Sequence, residues 1–489
     1  MNNRKNAFSS IILHLATIIQ GLIIPKVILM VFGSNVNGLI LSITQFLGFI
    51  SLLEGGLGAV VLAELYKPIE VKDDGKIKSI LKACQAFFIK LALCFFIYTL
   101  IIAIIYPLYI TKDFSFCYIS SLVLILSMTT VSQYMLSITY RLLLQAEQKI
   151  YIVNYISSFT ILLNTFLTVA VVCILPDIHV VKLASGIIYF IQPLIYTKFV
   201  KNKFHIKRFS FFQKNIVFKN RWSGFSQNLA HFINMNTDII LITLFMPLHY
   251  VSIYSIHMLV INALRGLIVS LASSYQSALG KYIAIGDIDD LKQKFEKYEN
   301  KIWLISIVTF SCCILLINQF IQLYTYGVND AVYYQPIFAL ILVIANMIYV
   351  IREPYRLLIL AAGKFRETNF GAIIEALINI IISIVLICRL GILGVAIGTL
   401  VAIVFRFAYF LWYLSKDIIK RKYMTLAPNI LMFLIMITIN LYIYCYCKLN
   451  IDTFFHFLFI GSLVFIFEST LCVTMSKLAH KIIQIVDTK

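Results

Sequence analysis

Tyr140-Arg141-Leu142-Leu143-Leu144-Gln145-Ala146-Glu147-Gln148-Lys149 and Tyr355-Arg356-Leu357-Leu358-Ile359-Leu360-Ala361-Ala362-Gly363-Lys364 lie 215 residues apart, each at the end of an apolar segment. The same offset pairs Asn154 with Asn369 and Asn164 with Asn379. A match without gaps over this span indicates an internal duplication. Each copy closes a long apolar run, so the duplicated object is a bundle of membrane helices. Duplicated bundles of this kind are the usual architecture of secondary transporters, in which two halves rock about a shared cavity.

Composition supports that reading. The 489 residues are 61% hydrophobic and only 13% charged, and the mean hydropathy is +0.91. These values exclude an ordinary soluble globular chain. Apolar runs of roughly 20 residues, enough to cross about 30 Å of hydrocarbon, recur near 8–32, 38–65, 83–108, 115–140, 150–175, 180–199, 222–246, 250–278, 301–324, 333–360, 369–388, 391–415, 425–447 and 453–476. The expected fold is an all-α polytopic membrane protein with about fourteen transmembrane helices. They group as an N-terminal six-helix lobe (1–200), a basic linker (201–221), a C-terminal six-helix lobe (222–415) and an additional helix pair (425–476). An even number of helices per lobe gives the two repeats the same membrane orientation.

The net charge of +19 would suggest nucleic acid in a soluble protein. Its distribution points elsewhere, because 32 of the 41 Lys and Arg fall in every second connection, counting from Arg4 and Lys5, and only Lys112, Lys182, Arg389 and Lys448 fall in the opposite set. That asymmetry is the positive-inside pattern and predicts cytoplasmic termini. The first apolar segment is too long for a cleaved signal and reads as the first span. The ten cysteines show no disulfide or metal spacing and read as small hydrophobes. No metal and no cofactor is expected. In the link before the ninth span, Ile288, Leu291, Phe295, Tyr298 and Ile302 recur at helical spacing, which predicts a short amphipathic helix on the inner leaflet.

Ionisable residues inside spans carry the functional expectations, because a charge at mid-bilayer costs at least about 2.5–3.5 kcal/mol. Lys26 and Asp238 occupy nearly equivalent places in the two lobes and are candidates to meet across a cavity, the alternative being a permanent ion pair or a snorkelling lysine. Arg265 sits too deep for comfortable snorkelling and needs a polar cavity or a carboxylate. Arg352-Glu353-Pro354 joins two charges to a helix-breaking proline, with neutralisation of Arg352 by a neighbour as the plain alternative. Glu54 beside Gly55, Gly56 and Gly58 is a candidate proton site. Glu353 and Glu375 are further candidates for coupling or gating, while Arg406, Lys90 and Glu468 are expected to snorkel or pair. Asn154, Asn164, Asn369 and Asn379 are expected in interhelical hydrogen bonds.

Glu54-Gly55-Gly56-Leu57-Gly58 leading to Leu65-Tyr66-Lys67-Pro68, Asn236-Thr237-Asp238, Ala362-Gly363-Lys364-Phe365-Arg366-Glu367-Thr368 and Gly391-Ile392-Leu393-Gly394-Val395-Ala396-Ile397-Gly398-Thr399 resemble the bacterial Wzx-type polysaccharide flippases of the MOP superfamily, alongside lipid II flippases and MATE exporters. The resemblance implies flipping of undecaprenyl-diphosphate-linked oligosaccharide across the bacterial inner membrane for O-antigen, capsule or exopolysaccharide. It implies cavity cations facing the diphosphate, for which Lys26, Arg265 and Arg352 are the candidates. It also implies membrane lipids, a polysaccharide polymerase and chain-length machinery as partners. A MATE-like proton- or sodium-coupled exporter, with Asp238 as its ion or substrate site, is the alternative. A membrane glycosyltransferase or polymerase is disfavoured by the short outer links, and the chain has no Gly-x-x-x-x-Gly-Lys phosphate loop.

Overall fold

The computed structural model describes residues 2–54, 57–110, 113–204, 225–285, 288–364, 367–419, 421, 423–446, 451 and 453–487. Most of the basic linker, Gly55, Gly56, Phe365 and Arg366 lie outside them. The described residues form helices α1 Asn2–Gly48, α2 Ser51–Glu54, α3 Leu57–Val71, α4 Asp74–Ile110, α5 Phe116–Ser132, α6 Ile138–Ala146, α7 Ile150–Ile174, α8 Ile178–Phe204, α9 Phe225–Phe245, α10 Leu248–Ser273, α11 Gln276–Ile285, α12 Ile288–Tyr324, α13 Pro336–Ile351, α14 Glu353–Ala361, α15 Asn369–Leu390, α16 Ile392–Tyr413, α17 Ala427–Tyr446 and α18 Phe454–Asp487. The protein is a multi-pass all-α membrane protein.

Twelve of the described helices are long and apolar enough to cross a membrane, against about fourteen runs in the sequence. One local feature accounts for part of the difference. The 47 residues of α1 would extend about 70 Å at 1.5 Å per residue, more than twice the hydrocarbon thickness. Gly33 divides them, with φ 81° and ψ 175°, a conformation closed to side chains with a Cβ. Two helices, 2–32 and 34–48, therefore meet at one residue, and the expected second span continues in pieces through α2 and α3. The expected seventh span corresponds to α9, Phe225–Phe245.

The chain divides into two compact units, Met1–Phe232 and Ile233–Lys489. Each contains the same arrangement. In unit 1, α4 packs on α5, α5 on α8 and α7 on α8; in unit 2, α12 packs on α13, α13 on α16 and α15 on α16. α4 and α12 are both 37 residues long, and α6 and α14 both have nine. The repeated Tyr-Arg-Leu-Leu motif lies in α6 and α14. The helix ahead of it is interrupted at corresponding places, by a π-helical turn over Gln133–Ser137 in unit 1 and by a break at Arg352, ahead of Pro354, in unit 2. The duplication thus extends to where the backbone departs from a straight helix.

The amphipathic stretch before the ninth span is not a separate surface helix. It is the first part of α12, and Leu291, Phe295, Tyr298 and Ile302 are buried within the protein. Tyr298 donates a hydrogen bond to the Ala272 carbonyl at 3.0 Å and stacks on Tyr275. The apolar stripe was legible, but its partner is protein rather than lipid.

The α15–α16 pair turns at Gly391, whose φ of 58° suits glycine. It then closes through Gly394 and Gly398, a small-residue spacing that lets membrane helices approach closely. A Cβ on Gly394 would lie 2.5 Å from the Leu386 carbonyl carbon, and one on Gly398 would be 2.9 Å from the Ser383 nitrogen. Gly398→Leu is expected to separate the pair and lower stability by about 1–3 kcal/mol or more, as overpacking does. Thermal unfolding of the detergent-solubilised protein measures it.

Candidate functional site

The close approach at Gly398 sets the geometry around Asp238. This carboxylate on α9 is buried, with 3% of the residue exposed. It accepts hydrogen bonds from Tyr254 Oη of α10 at 2.8 Å, Thr399 Oγ1 of α16 at 2.8 Å and Asn379 Nδ2 of α15 at 3.4 Å. Ser383 Oγ donates to Asn379 Oδ1 at 3.0 Å, which turns the amide nitrogen toward Asp238. Four helices of unit 2 thus converge on one acid. All three donors are neutral, so they orient the carboxylate without cancelling its charge. Such a group suits reversible binding of a proton or small cation. The sequence suggested Lys26 as its counterpart, but these donors all belong to Asp238's own unit.

Glu375 and Glu353 of unit 2 are matched by arginines. Arg352, at the α13–α14 break, bonds through Nη1 to Glu375 Oε1 at 2.5 Å, and Arg406 Nε lies 3.5 Å from Glu375 Oε2. Arg406 also donates to the Thr368 carbonyl at 2.9 Å. All three residues are buried. Gly371 makes room for this cluster, since a Cβ there would lie 2.5 Å from Arg406 Nη1. Glu353 is held by Arg356 through Nε at 2.9 Å and Nη2 at 2.7 Å. Arg352 is therefore a neutralised ion-pair partner rather than an open cavity cation, and Glu375 and Glu353 serve as counter-ions.

Arg265 differs. It is half-buried on α10, donates to the Asn346 side-chain oxygen at 3.3 Å, and lies 5.0 Å from the Tyr349 ring centre, with Arg352 4.3 Å from that same ring. Among the described residues it has no carboxylate partner. Arg265 is thus a guanidinium held by an amide and an aromatic face, with its charge uncompensated.

In unit 1, Lys26 follows Pro25 in α1 and is half-buried. Glu54 ends α2, and its Oε1 lies 3.8 Å from where a Cβ on Gly58 would stand, an ordinary contact distance. Lys90 is exposed, as snorkelling requires. Lys182 lies inside α8 rather than in the outer link where the charge count put it, because the helix begins at Ile178. Asn154 Nδ2 bonds Ser9 and Ser10 of α1 at 3.1 and 3.0 Å. Asn379 reaches Asp238, and Asn369 opens α15. The buried Oδ1 of Asn164, by contrast, has no hydrogen-bond partner among the described residues.

Sequence reasoning missed one strong pair. Arg421 lies between the twelfth and thirteenth expected spans and read as topology charge. Its Nη1 and Nη2 donate to the two oxygens of Glu299 on α12, both at 2.6 Å, and both residues are buried. The geometry is a bidentate fork. Glu299 lay within a Lys-rich stretch, so only the burial of α12 distinguishes it from its solvated neighbours.

Removing Glu375 leaves two buried guanidiniums without their counter-ion. Glu375→Ala is expected to cost about 3–5 kcal/mol, read as a lower thermal-unfolding midpoint. Adding Arg352→Met should recover part of the loss.

No protein-family model matches the sequence, and no curated protein matches it. Solved structures do share its fold. A lipid II flippase MurJ in an inward closed conformation matches with a TM-score of 0.67 at 16% identity, over 95% of this chain and 98% of that one. An inward-facing multidrug resistance MATE family transporter of the MOP superfamily matches with a TM-score of 0.59 at 14% identity, over 82% and 94%. The MATE multidrug transporter DinF-BH matches with a TM-score of 0.56 at 13% identity, over 86% and 97%. At these identities the likeness is one of fold: the chain has the helical architecture that these transporters share.

Proposed function

We propose that this protein flips an anionic lipid-linked oligosaccharide, of the undecaprenyl-diphosphate class, from the inner to the outer leaflet of a bacterial cytoplasmic membrane by alternating access. A shared fold does not choose a substrate, and this fold serves both lipid-linked glycans and drugs. Arg265 carries the choice. It is the arginine of unit 2 that lies within a span, is half-open and lacks a carboxylate partner among the described residues, which suits a diphosphate. A cationic drug would need open carboxylates; Glu375, Glu353 and Glu299 are bound to arginines, and Asp238 is enclosed by three neutral donors.

Lys26 is the further candidate for the diphosphate, while Asn, Gln, Ser and Tyr side chains hydrogen-bond sugar and the lipid tail stays in the bilayer. Asp238 is the proposed coupling site, with its carboxylate exchanging a proton or monovalent cation during the cycle; Glu54 is the second candidate. The charge asymmetry of the links supports cytoplasmic termini. Product chemistry implies polymerising and chain-length machinery downstream.

Deletion in the source cell, with surface polysaccharide and inner-leaflet lipid-linked glycan quantified separately, tests the reading. Loss of surface glycan with complete repeat units trapped inside is expected; normal amounts of both would reject it and favour small-molecule export. In the complemented strain, Arg265→Ala should reduce flipping about 10- to 100-fold, the equivalent of a charged hydrogen bond of about 1.5–3 kcal/mol, and Arg265→Lys should restore part. Asp238→Asn should leave the protein folded while uncoupling transport from the ion gradient, measured as flux in proteoliposomes with and without imposed proton or sodium gradients.

A further inference from the structure

The helices α17 and α18 lie outside the duplicated pattern and pack on α12 and on each other. Within their spans, Ala427–Tyr446 and Phe454–Leu478, the sole acidic side chain is Glu468. It does not snorkel, because its exposure is 0%. Fourteen residues separate it from Phe454 at the start of α18, about 21 Å along the helix, which is well inside a hydrocarbon layer of about 30 Å.

Few groups receive this acid. Oε2 accepts a hydrogen bond from Asn440 Nδ2 of α17 at 3.3 Å, and that nitrogen also donates to the Met436 carbonyl at 2.8 Å. The other oxygen, Oε1, has no hydrogen-bond partner among the described residues, and neither does Asn440 Oδ1. The Ser311 hydroxyl of α12 faces the carboxyl without a formed hydrogen bond. The titratable neighbours are the thiols of Cys312 on α12 and Cys472 on α18; α17 presents the Asn440 amide. No cationic side chain is paired with Glu468 among the described residues.

An ionised carboxylate in this place would be a buried charge with a shared amide and the Ser311 hydroxyl as its donors and no paired cation among the described residues, an arrangement costing several kcal/mol. A hard metal cation such as calcium or magnesium takes about six or more oxygens, and the carboxylate, Asn440 Oδ1 and Ser311 Oγ supply four. A proton needs only one donor and one acceptor. With Glu468 neutral, its O–H donates to Asn440 Oδ1, and the Ser311 hydroxyl donates to the acid. The orphaned oxygens of three helices are thereby satisfied together.

We infer that Glu468 is a proton-binding site that holds the accessory pair α17–α18 against α12, the neutral acid docking the pair and ionisation releasing it. A group that binds a proton in the docked state and not in the released one adds stability at low pH and loses it as pH rises. This site is independent of the substrate assigned above.

Infrared difference spectroscopy on the full-length protein in lipid nanodiscs tests it, with pH titrated in the presence and absence of sodium. Wild type minus Glu468→Gln should show a carboxylic-acid carbonyl band at neutral pH that converts to carboxylate on alkalinisation, indifferent to sodium. Thermal unfolding of the wild type should weaken over the same pH interval, and that of Glu468→Gln should not. Ser311→Ala retains the acid and should shift its band, which keeps the test decisive if the glutamine variant fails to fold. Carboxylate bands at neutral pH, bands that move with sodium, or a band unaffected by either substitution would overturn the inference.

Discussion

Hydrocarbon does not solvate charge, so each ionised group within a span needs a compensating partner, a route to water or a proton. Unit 2 shows the first of these in several ion pairs. Glu375 neutralises Arg352 and approaches Arg406, and Glu353 is bound by Arg356. Once those charges are internally balanced, two groups of the repeated helices stand apart, as Glu468 does in the accessory pair. Asp238 is surrounded by neutral donors, and Arg265 by an amide and a ring. The uncompensated residues are the chemically available ones, and the proposed function rests on that subtraction rather than on the number of charges.

The packing that holds these groups depends on small residues. Gly394 and Gly398 let α16 approach α15 at distances a side chain would forbid, and this brings Thr399 and Asn379 onto the same acid. Gly371 does the same for Arg406 at the other end of the pair. Helix proximity and electrostatics are therefore a single design: van der Waals contact between backbones fixes the positions from which polar side chains reach across.

Much of the architecture was legible. The 215-residue offset of Tyr140-Arg141-Leu142-Leu143 and Tyr355-Arg356-Leu357-Leu358 identified a duplication whose helices recur in length, packing and point of interruption. The need for a partner at Arg352 was also legible, but the choice of Glu375 was not, because the two residues meet only when α15 folds beside the α13–α14 break. Arg421 looked like a topology charge and Glu468 like one that snorkels or pairs. Burial excluded the first reading for Arg421 and snorkelling for Glu468.

The sequence by itself determined the solvent, the approximate number of spans, the repeat and the set of intramembrane charges, because hydropathy, length and periodicity are local properties of the chain. Only the tertiary structure decided which charges cancel and which remain. Pairing depends on distances of a few ångströms between residues far apart along the chain: 23 positions for Arg352 and Glu375, 122 for Glu299 and Arg421, and 161 for Asp238 and Thr399. Coulomb energy and hydrogen-bond geometry act across space, and no local pattern in the sequence encodes that proximity.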